Sequence, residues 1–334
     1  MSSTAVVILN FNGRNYLEAF LPTLIKYSEG IDIVVADNAS TDDSTEWVTK
    51  HFPDLPLVIL DKNHGFAGGY NEALKQVSAT YYILINSDVE VTPNWWQPLV
   101  TYLEEHPQHA ACQPKICAYH QKDEFEYAGA SGGFIDSLGY PYCRGRIFDV
   151  LEKDQGQYDQ TTDIFWSTGA CMIIRAELFH QHGGFDPDFF AHMEEVDLCW
   201  RLRNAHWSIA CVPQSKVYHV GGGTLDKSNP RKTYLNFRNS LAVITKNLPW
   251  YALWWKLPIR IALDFLAALV FWKTNSFDHF KAVAVAIFDF LKSFPSHYGK
   301  RKSLSTLRKT NAHLARTAVI FDFFILGKKK YSDL

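Results

Sequence analysis

The stretch Tyr81–Val91, YYILINSDVEV, opens as a run of bulky apolar residues and then turns polar at Asn86, Ser87 and Asp88, with Glu90 two positions further on. An apolar run of this length and composition belongs in a buried strand. Ionised carboxylates are costly to bury unless they are paired or bound to a metal. Asp88 therefore stands either at a solvated strand end or at a place that holds something.

Three earlier runs share this layout. TAVVILN ends on Asn10, IDIVVADN ends on Asp37 and Asn38, and LPLVIL is followed by Asn63. Helical patterns lie between them: Tyr16, Leu17, Phe20, Leu21, Leu24 and Ile25 recur at helical spacing, STDDSTEWVTKHF opens on cap residues and acids, and GGYNEALKQV follows the third run. Alternating strand and helix predict an α/β fold with a mostly parallel sheet and helices on both faces. Ligands of such sheets bind beyond the carboxyl ends of the strands. Polar residues ending four successive strands point to one shared crevice.

The overall charge of -2 hides an asymmetry. Residues 1–225 carry 14 Lys+Arg and 29 Asp+Glu, whereas residues 226–334 carry 19 and 6, giving balances of -15 and +13. We expect a domain over residues 1–240 and a basic, aromatic-rich helical region over 241–334, working in different environments. The six cysteines form no Cys-x-x-Cys pair and sit mostly in apolar runs, as core thiols of a reducing compartment do. MSSTAVVILNF lacks the basic start and cleavage site of a signal peptide. The expected location is the cytoplasm.

The turn after the first strand reads NFNGRNY, which is neither the Gly-x-Gly-x-x-Gly of a dinucleotide fold nor a loop ending in Lys-Ser/Thr. Three further segments carry candidate chemistry. NHGFAGGYN, Asn63 to Asn71, places three glycines before a helix. They either let a phosphate approach the backbone and the helix N–H groups, or make a tight strand-to-helix turn. In FFAHMEEVDLCWRL, a helix starting near His192 makes Asp197 and Arg201 an i, i+4 pair with Glu194 on their side, while Glu195 turns towards Leu198, Cys199 and Leu202. A first-turn carboxylate such as Glu195 suits a base, or serves only the helix dipole. In KVYHVGGGT, His219 ends a strand-like run, either as a structural hydrogen bonder or as a second ligand beside Asp88.

Seven segments in order, VVILNFNG, VVADNASTDDS, NHGFAGGYNEAL, LINSDVEV, STGACMIIR, GGFDPDFFAHMEEVDLCWRL and VYHVGGGT, give residues 4 to about 240 a clear likeness. The chain resembles family 2 glycosyltransferases of the GT-A fold, in the bacterial rhamnosyltransferase-like branch. The resemblance implies transfer of a sugar, with inversion, from a nucleotide diphosphate donor (dTDP-rhamnose or a UDP-sugar) to a saccharide acceptor in cell-surface polysaccharide synthesis. It assigns Asp37 and Asn38 to the base or ribose, and Asn63, Gly65, Phe66, Gly68 and Asn71 to the nucleotide and diphosphate. Asn10 and Asn86 join that set at their strand ends. Asp88 and His219 would hold Mg²⁺ or Mn²⁺, and the Glu194-Glu195 pair would contain the base. Two departures stand out: the Asp-x-Asp metal signature appears as Asn86-Ser87-Asp88, and the acidic pair, commonly Glu-Asp, is Glu-Glu. A nucleotidyltransferase and a non-catalytic sugar-binding module are the alternatives; the first fits NFNGRNY poorly and the second needs no acidic pair.

The run LPWYALWWKLPIRIALDFLAALVFWK is aromatic and apolar, but Lys256, Arg260 and Asp264 leave it short of a spanning helix. With Trp250, Tyr251, Trp254 and Trp255 near its start, it is expected to lie on the inner face of the cell membrane, where a lipid-linked acceptor would meet the crevice. The alternative is a helical pair packed on the catalytic body or on a second subunit of an oligomer. No nucleic-acid partner is expected.

Overall fold

The computed structural model describes residues 3–221, 229–274, 276–303 and 314–334. Gly222, Gly223 and Thr224, the end of the KVYHVGGGT segment, lie outside them. Four strands, β1 (Thr4–Asn10), β2 (Asp32–Asp37), β3 (Leu57–Ile59) and β4 (Tyr81–Asn86), alternate with helices α1 (Arg14–Tyr27), α2 (Ser44–His51) and α3 (Gly65–Leu74). These strands pair in parallel in the order β4-β1-β2-β3. Register sets Asn10 opposite Asp37 and Leu9 opposite Asn86, so the polar strand ends meet at one edge as the sequence predicts.

Strand alternation splits the core into two layers. Val6 and Ile8 of β1 pack with Leu17, Leu21 and Leu24 of α1 on one face, whereas Val7 packs with Ala67 and Tyr70 of α3 on the other. Leu17, Leu21 and Leu24 recur at the three- and four-residue spacing of an amphipathic helix. Burying each is worth about 1.5–3 kcal/mol.

The second half of the sheet is mixed. After β5 (Val89–Val91) and α4 (Gln97–Glu105) comes β6 (His109–Ala118). A small four-stranded sheet follows, β7 (Gly133–Ile135), β8 (Pro141–Cys143), β9 (Arg146–Ile147) and β10 (Val150–Leu151). Then come β11 (Thr162–Ile164), β12 (Cys171–Arg175), the short α5 (Ala176–Gln181), α6 (Glu194–Asn204) and β13 (Ser208–His219). Strand β12, the GACMIIR segment, inserts antiparallel between β4 and β6, and β13 runs parallel to β6. All six cysteines are buried free thiols.

Four helices close the chain: α7 (Pro230–Asn247), α8 (Trp250–Lys273), α9 (Phe277–Ser303) and α10 (Val319–Phe324). Residue 240, where the sequence reading divides the chain, falls inside α7, and Leu241, Val243 and Ile244 of that helix share the core of the main sheet. A buried ionic cluster ties α7 to α6: the Lys246 ammonium donates to Asp186 at 2.6 Å and to Asp197 at 2.8 Å. Asp197 also takes the expected hydrogen bond from Arg201, at 2.8 Å, and one from Asn247 at 2.8 Å.

Removing one member of a buried ion pair typically costs about 3–5 kcal/mol. Lys246→Met keeps most of the stem and deletes the charge, while Arg201 and Lys300 still serve the two carboxylates. We expect a loss of about 3 kcal/mol in urea unfolding; a loss under about 1 kcal/mol would show that the cluster does not clamp these helices.

Candidate active site

At the carboxyl edge of β4 the sheet opens into a cavity of about 550 Å³. Six of the residues singled out in the sequence line it: Phe66, Asn86, Asp88, Glu194, Glu195 and His219. The cavity also contains Tyr16, Glu126, Tyr127 and Lys232, which sequence reasoning missed.

Asp88 sits in the turn between β4 and β5, and β5 pairs with the end of β13 so that Val89 faces His219. This brings His219 Nε2 to 3.1 Å from Asp88 Oδ1. On the other ring edge, Nδ1 lies 3.3 Å from Glu126 Oε1. All three side chains are buried. Burial alone would raise Asp88 and Glu126, but the charge and proximity of His219 outweigh it and hold both carboxyls below their ordinary values. Burial would likewise lower His219; Glu126 and Asp88 overcome it and push the imidazole up to about 10. Such a donor set fits a divalent cation that takes the place of the Nε2 proton: Asp88 and the Nε2 edge converge, and a carboxylate behind Nδ1 orients the ring as it does behind metal-bound histidines. No cluster of three or more ligand side chains at metal-holding spacing occurs among the described residues. The protein would supply few ligands, as suits a cation that completes its shell with phosphate oxygens and water.

Across the cavity, α6 begins at the acidic pair. A helical wheel separates Glu194 from Glu195, yet both line the cavity because the first turn of α6 ends on its wall. Glu194 is buried and Glu195 half-buried, and Oε2 of each has no hydrogen-bond partner. Burial, then the adjacent Glu195 charge, drive Glu194 well above the ordinary carboxyl value. Glu195 is also raised by burial, but backbone N–H groups at the helix start and at Gly169 hold it down to about 7. Both carboxyls are thus raised and titrate as a pair, with the backbone N–H groups favouring negative charge on Glu195.

The backbone leading into α6 is strained. Phe190, His192 and Met193 have φ of 63°, 68° and 75°, values that cost non-glycine residues about 1–3 kcal/mol each. Neighbouring elements hold this segment in place. Asn239 of α7, fully buried, donates from Nδ2 to the carbonyls of Phe189, Ala191 and His192 at 3.0, 2.9 and 2.8 Å. From α3, the N–H groups of Phe66 and Ala67 donate to the Phe190 carbonyl at 2.6 and 3.1 Å.

Of the two readings of the glycine turn, these contacts favour the tight strand-to-helix turn: the first-turn N–H groups of α3 hold the segment ahead of α6, and the Gly65 N–H is taken by Asn63 Oδ1 at 2.8 Å. Gly65, at φ 71°, is required because a Cβ there would stand 2.5 Å from the Phe190 carbonyl oxygen. Gly68 lies against His64, and Asn71 makes two bonds to the Phe185 backbone, at 2.7 and 2.9 Å.

The other strand-end residues form a second group outside that cavity. Asn10 donates to Asp37 at 3.0 Å, Asp37 accepts the Ser40 N–H at 2.8 Å, and Asn38 bridges Asn63, Gly65 and His64. They knit the ends of β1, β2 and β3 into a firm rim.

Comparison with known proteins settles the class. The family model described as Glycosyl transferase family 2 matches residues 5–183. The chain belongs to glycosyl transferase family 2. Among its relatives, an N-acetylglucosaminyl-diphospho-decaprenol L-rhamnosyltransferase of Mycobacterium tuberculosis is 24% identical over 277 residues, covering 77% of this chain and 88% of that protein. Rhamnosyltransferase WbbL of Escherichia coli is 24% identical over 225 residues, 64% of this chain and 82% of WbbL. The likeness is thus to the bacterial rhamnosyltransferase-like branch. Among solved structures, GalNAc-T7 with UDP, GalNAc and Mn²⁺ aligns with TM-score 0.56 at 16% identity, over 74% of this chain and 48% of that one. A Pyrobaculum calidifontis mannosyltransferase with GDP-Man and Mn²⁺ aligns with TM-score 0.52 at 14% identity, over 92% and 86%. The glycosyltransferase therefore has the GT-A fold.

Because Asn239 reaches the acidic pair through the backbone ahead of it, its Oδ1 being taken by Arg238, Asn239→Leu should act through geometry. Turnover should fall at least tenfold, and the acid limb of the pH–rate profile should shift as the Glu195 surroundings relax. An unchanged profile with unchanged turnover would show that α7 does not position the pair.

Proposed function

We propose that this glycosyltransferase moves a sugar, with inversion, from a nucleotide diphosphate donor to a saccharide hydroxyl, and that Glu195 is the base. The carrying observation is one cavity lined both by the Asp88–His219 pair and by two raised carboxyls, Glu194 and Glu195. In a single displacement the acceptor oxygen bonds to the anomeric carbon, the bond from that carbon to the diphosphate oxygen breaks, and the nucleoside diphosphate leaves with the bonding pair. The acceptor proton goes to Glu195, whose tuning to about 7 suits a general base near neutral pH. Glu194, kept neutral, avoids a second negative charge beside the base and is placed to donate a hydrogen bond to the sugar or acceptor.

Asp88 and His219 would hold Mg²⁺ or Mn²⁺, with Glu126 orienting the histidine. When bound, the cation supplies stabilisation of the charge on the leaving diphosphate. The Mn²⁺ named with both solved neighbours supports that choice. Asp37, Asn38, Asn10 and Asn63 form the rim that receives the nucleoside, and Phe66 and Asn86 carry it into the cavity. The rhamnose and the diphospho-decaprenol in the mycobacterial relative's name support dTDP-rhamnose as donor and a lipid-carried saccharide as acceptor, and with that acceptor a working place in the cytoplasm at the inner face of the membrane.

Glu195→Gln should lower turnover by roughly 10²-fold or more, with donor affinity little changed. In the wild type, kcat/KM should fall about tenfold per pH unit below about 7, because the raised carboxyl must be ionised to take a proton. Glu194→Gln exchanges a neutral carboxyl for a neutral amide, so its acid limb should stay close to that of the wild type. A larger turnover loss in Glu194→Gln than in Glu195→Gln would reverse the roles. Asp88→Asn should abolish Mn²⁺-dependent turnover without unfolding the protein; a retained Mn²⁺ response at wild-type rate would contradict the metal assignment.

A further inference from the structure

Helix α8 is amphipathic the wrong way round for a soluble protein. Its charged residues Lys256, Arg260 and Asp264 are buried. Every exposed position from Trp250 to Trp272 is apolar, Trp254, Trp255, Phe265 and Leu266 among them. The buried charges serve a mount. Arg260 lies 3.4 Å over the Tyr140 ring and donates to Ser240 at 2.8 Å and to the Leu138 carbonyl at 3.3 Å, while the Tyr140 hydroxyl donates to Asp264 at 2.9 Å. The turn between β7 and β8 thereby grips the helix by its polar stripe and leaves its apolar stripe outside.

The same turn carries the start of α10. Val319 N–H donates to Asp136 at 2.9 Å and Ser137 N–H to the Thr317 carbonyl at 2.9 Å. Beyond it Phe321, Phe324, Ile325 and Leu326 are exposed. Seventeen of the nineteen exposed large hydrophobic residues among the described residues lie between Trp250 and Leu326. Isolated surface apolar residues need no explanation, but a continuous concentration marks an interaction surface.

We propose that this surface, the outer stripe of α8 with the exposed residues of α9 and α10, docks on an anionic lipid bilayer with the helices lying in its interface. This deepens the reading of a lipid-carried acceptor and rests on it for its purpose, though not for its residues. Three observations select the bilayer. No helix among the described residues is long and apolar enough to cross a membrane, so the surface is one that rests on it. Trp and Tyr crowd one end of α8, and Trp272 stands near the other, the residue types that favour the membrane–water interface. Among the described residues the exposed charges of this region are Lys273, Lys281, Lys292, Arg316, Lys329 and Lys330 against Asp278 and Asp333. That excess complements anionic headgroups, whereas a second copy packed on the same surface would bring the same positive rim against it.

The test is flotation of the full chain with phosphatidylcholine vesicles, with and without phosphatidylglycerol. It is combined with quenching of tryptophan fluorescence by brominated acyl chains and with sedimentation velocity in the absence of lipid. We expect flotation with the anionic vesicles, quenching in them, and at least a tenfold loss of bound protein for Trp254→Glu combined with Phe265→Glu. Lys329→Gln with Lys330→Gln should weaken binding to the anionic vesicles alone. Three results would overturn the proposal: a wild-type chain that floats with neither vesicle and stays monomeric, one that floats equally with both, or a lipid-free dimer that the Trp254/Phe265 double variant dissociates. Mn²⁺-dependent hydrolysis of the donor in solution reports on the sugar-transfer reading separately, and the surface variants should leave it unchanged.

Discussion

Two neighbouring carboxyls in a buried wall cannot both be charged, and the architecture around Glu194 and Glu195 follows from that constraint. Their unequal surroundings decide which one keeps the proton. Backbone N–H groups at the start of α6 and at Gly169 favour the ionised form of Glu195, whereas only its own backbone N–H opposes the burial of Glu194. Holding those N–H groups in place requires the left-handed run through Phe190, His192 and Met193. That run in turn requires partners on both sides, α3 through its first-turn N–H groups and α7 through Asn239. The buried cluster of Lys246, Asp186 and Asp197 then fastens α7 to the same helix. Helix α7 thus supports the acidic pair even though the family match ends at residue 183.

Much of the sheet was legible because parallel pairing carries local signals. Apolar runs ending on Asn10, Asp37 and Asn86 set their own register, and the polar ends had to meet. The Asp197–Arg201 bond followed from helical spacing alone. Glu126 left no such signal, since it is brought to His219 only by long-range pairing of β6 with β13, where Ala118 lies opposite His219. The glycines of NHGFAGGYN were read for what they permit, a close approach. Sequence does not say what approaches, and at Gly65 it is the Phe190 carbonyl of the chain itself. Asn239 stands between Arg238 and Ser240 in the polar N-terminal part of α7 and left no local signal either.

The same limit applies to α8. Lys256, Arg260 and Asp264 recur every four residues, which the sequence offered as an interruption of an apolar run. That spacing is a stripe, and the structure turns it inwards onto Tyr140 and Ser240. The charges that rule out a spanning helix are the ones that hold an apolar surface outward. An acidic body and a basic helical tail therefore serve one molecule with the reaction cavity on one part and the aromatic surface on another.

The protonation of the acidic pair is open to direct measurement. Infrared difference spectra of the protein across pH, compared with those of Glu194→Gln and Glu195→Gln, report each buried carboxyl separately. The account predicts a protonated-carboxyl band near neutral pH that persists in Glu195→Gln and is lost in Glu194→Gln. A band lost instead in Glu195→Gln, or absent from the wild type, would contradict the claim that Glu194 keeps the proton and Glu195 accepts one.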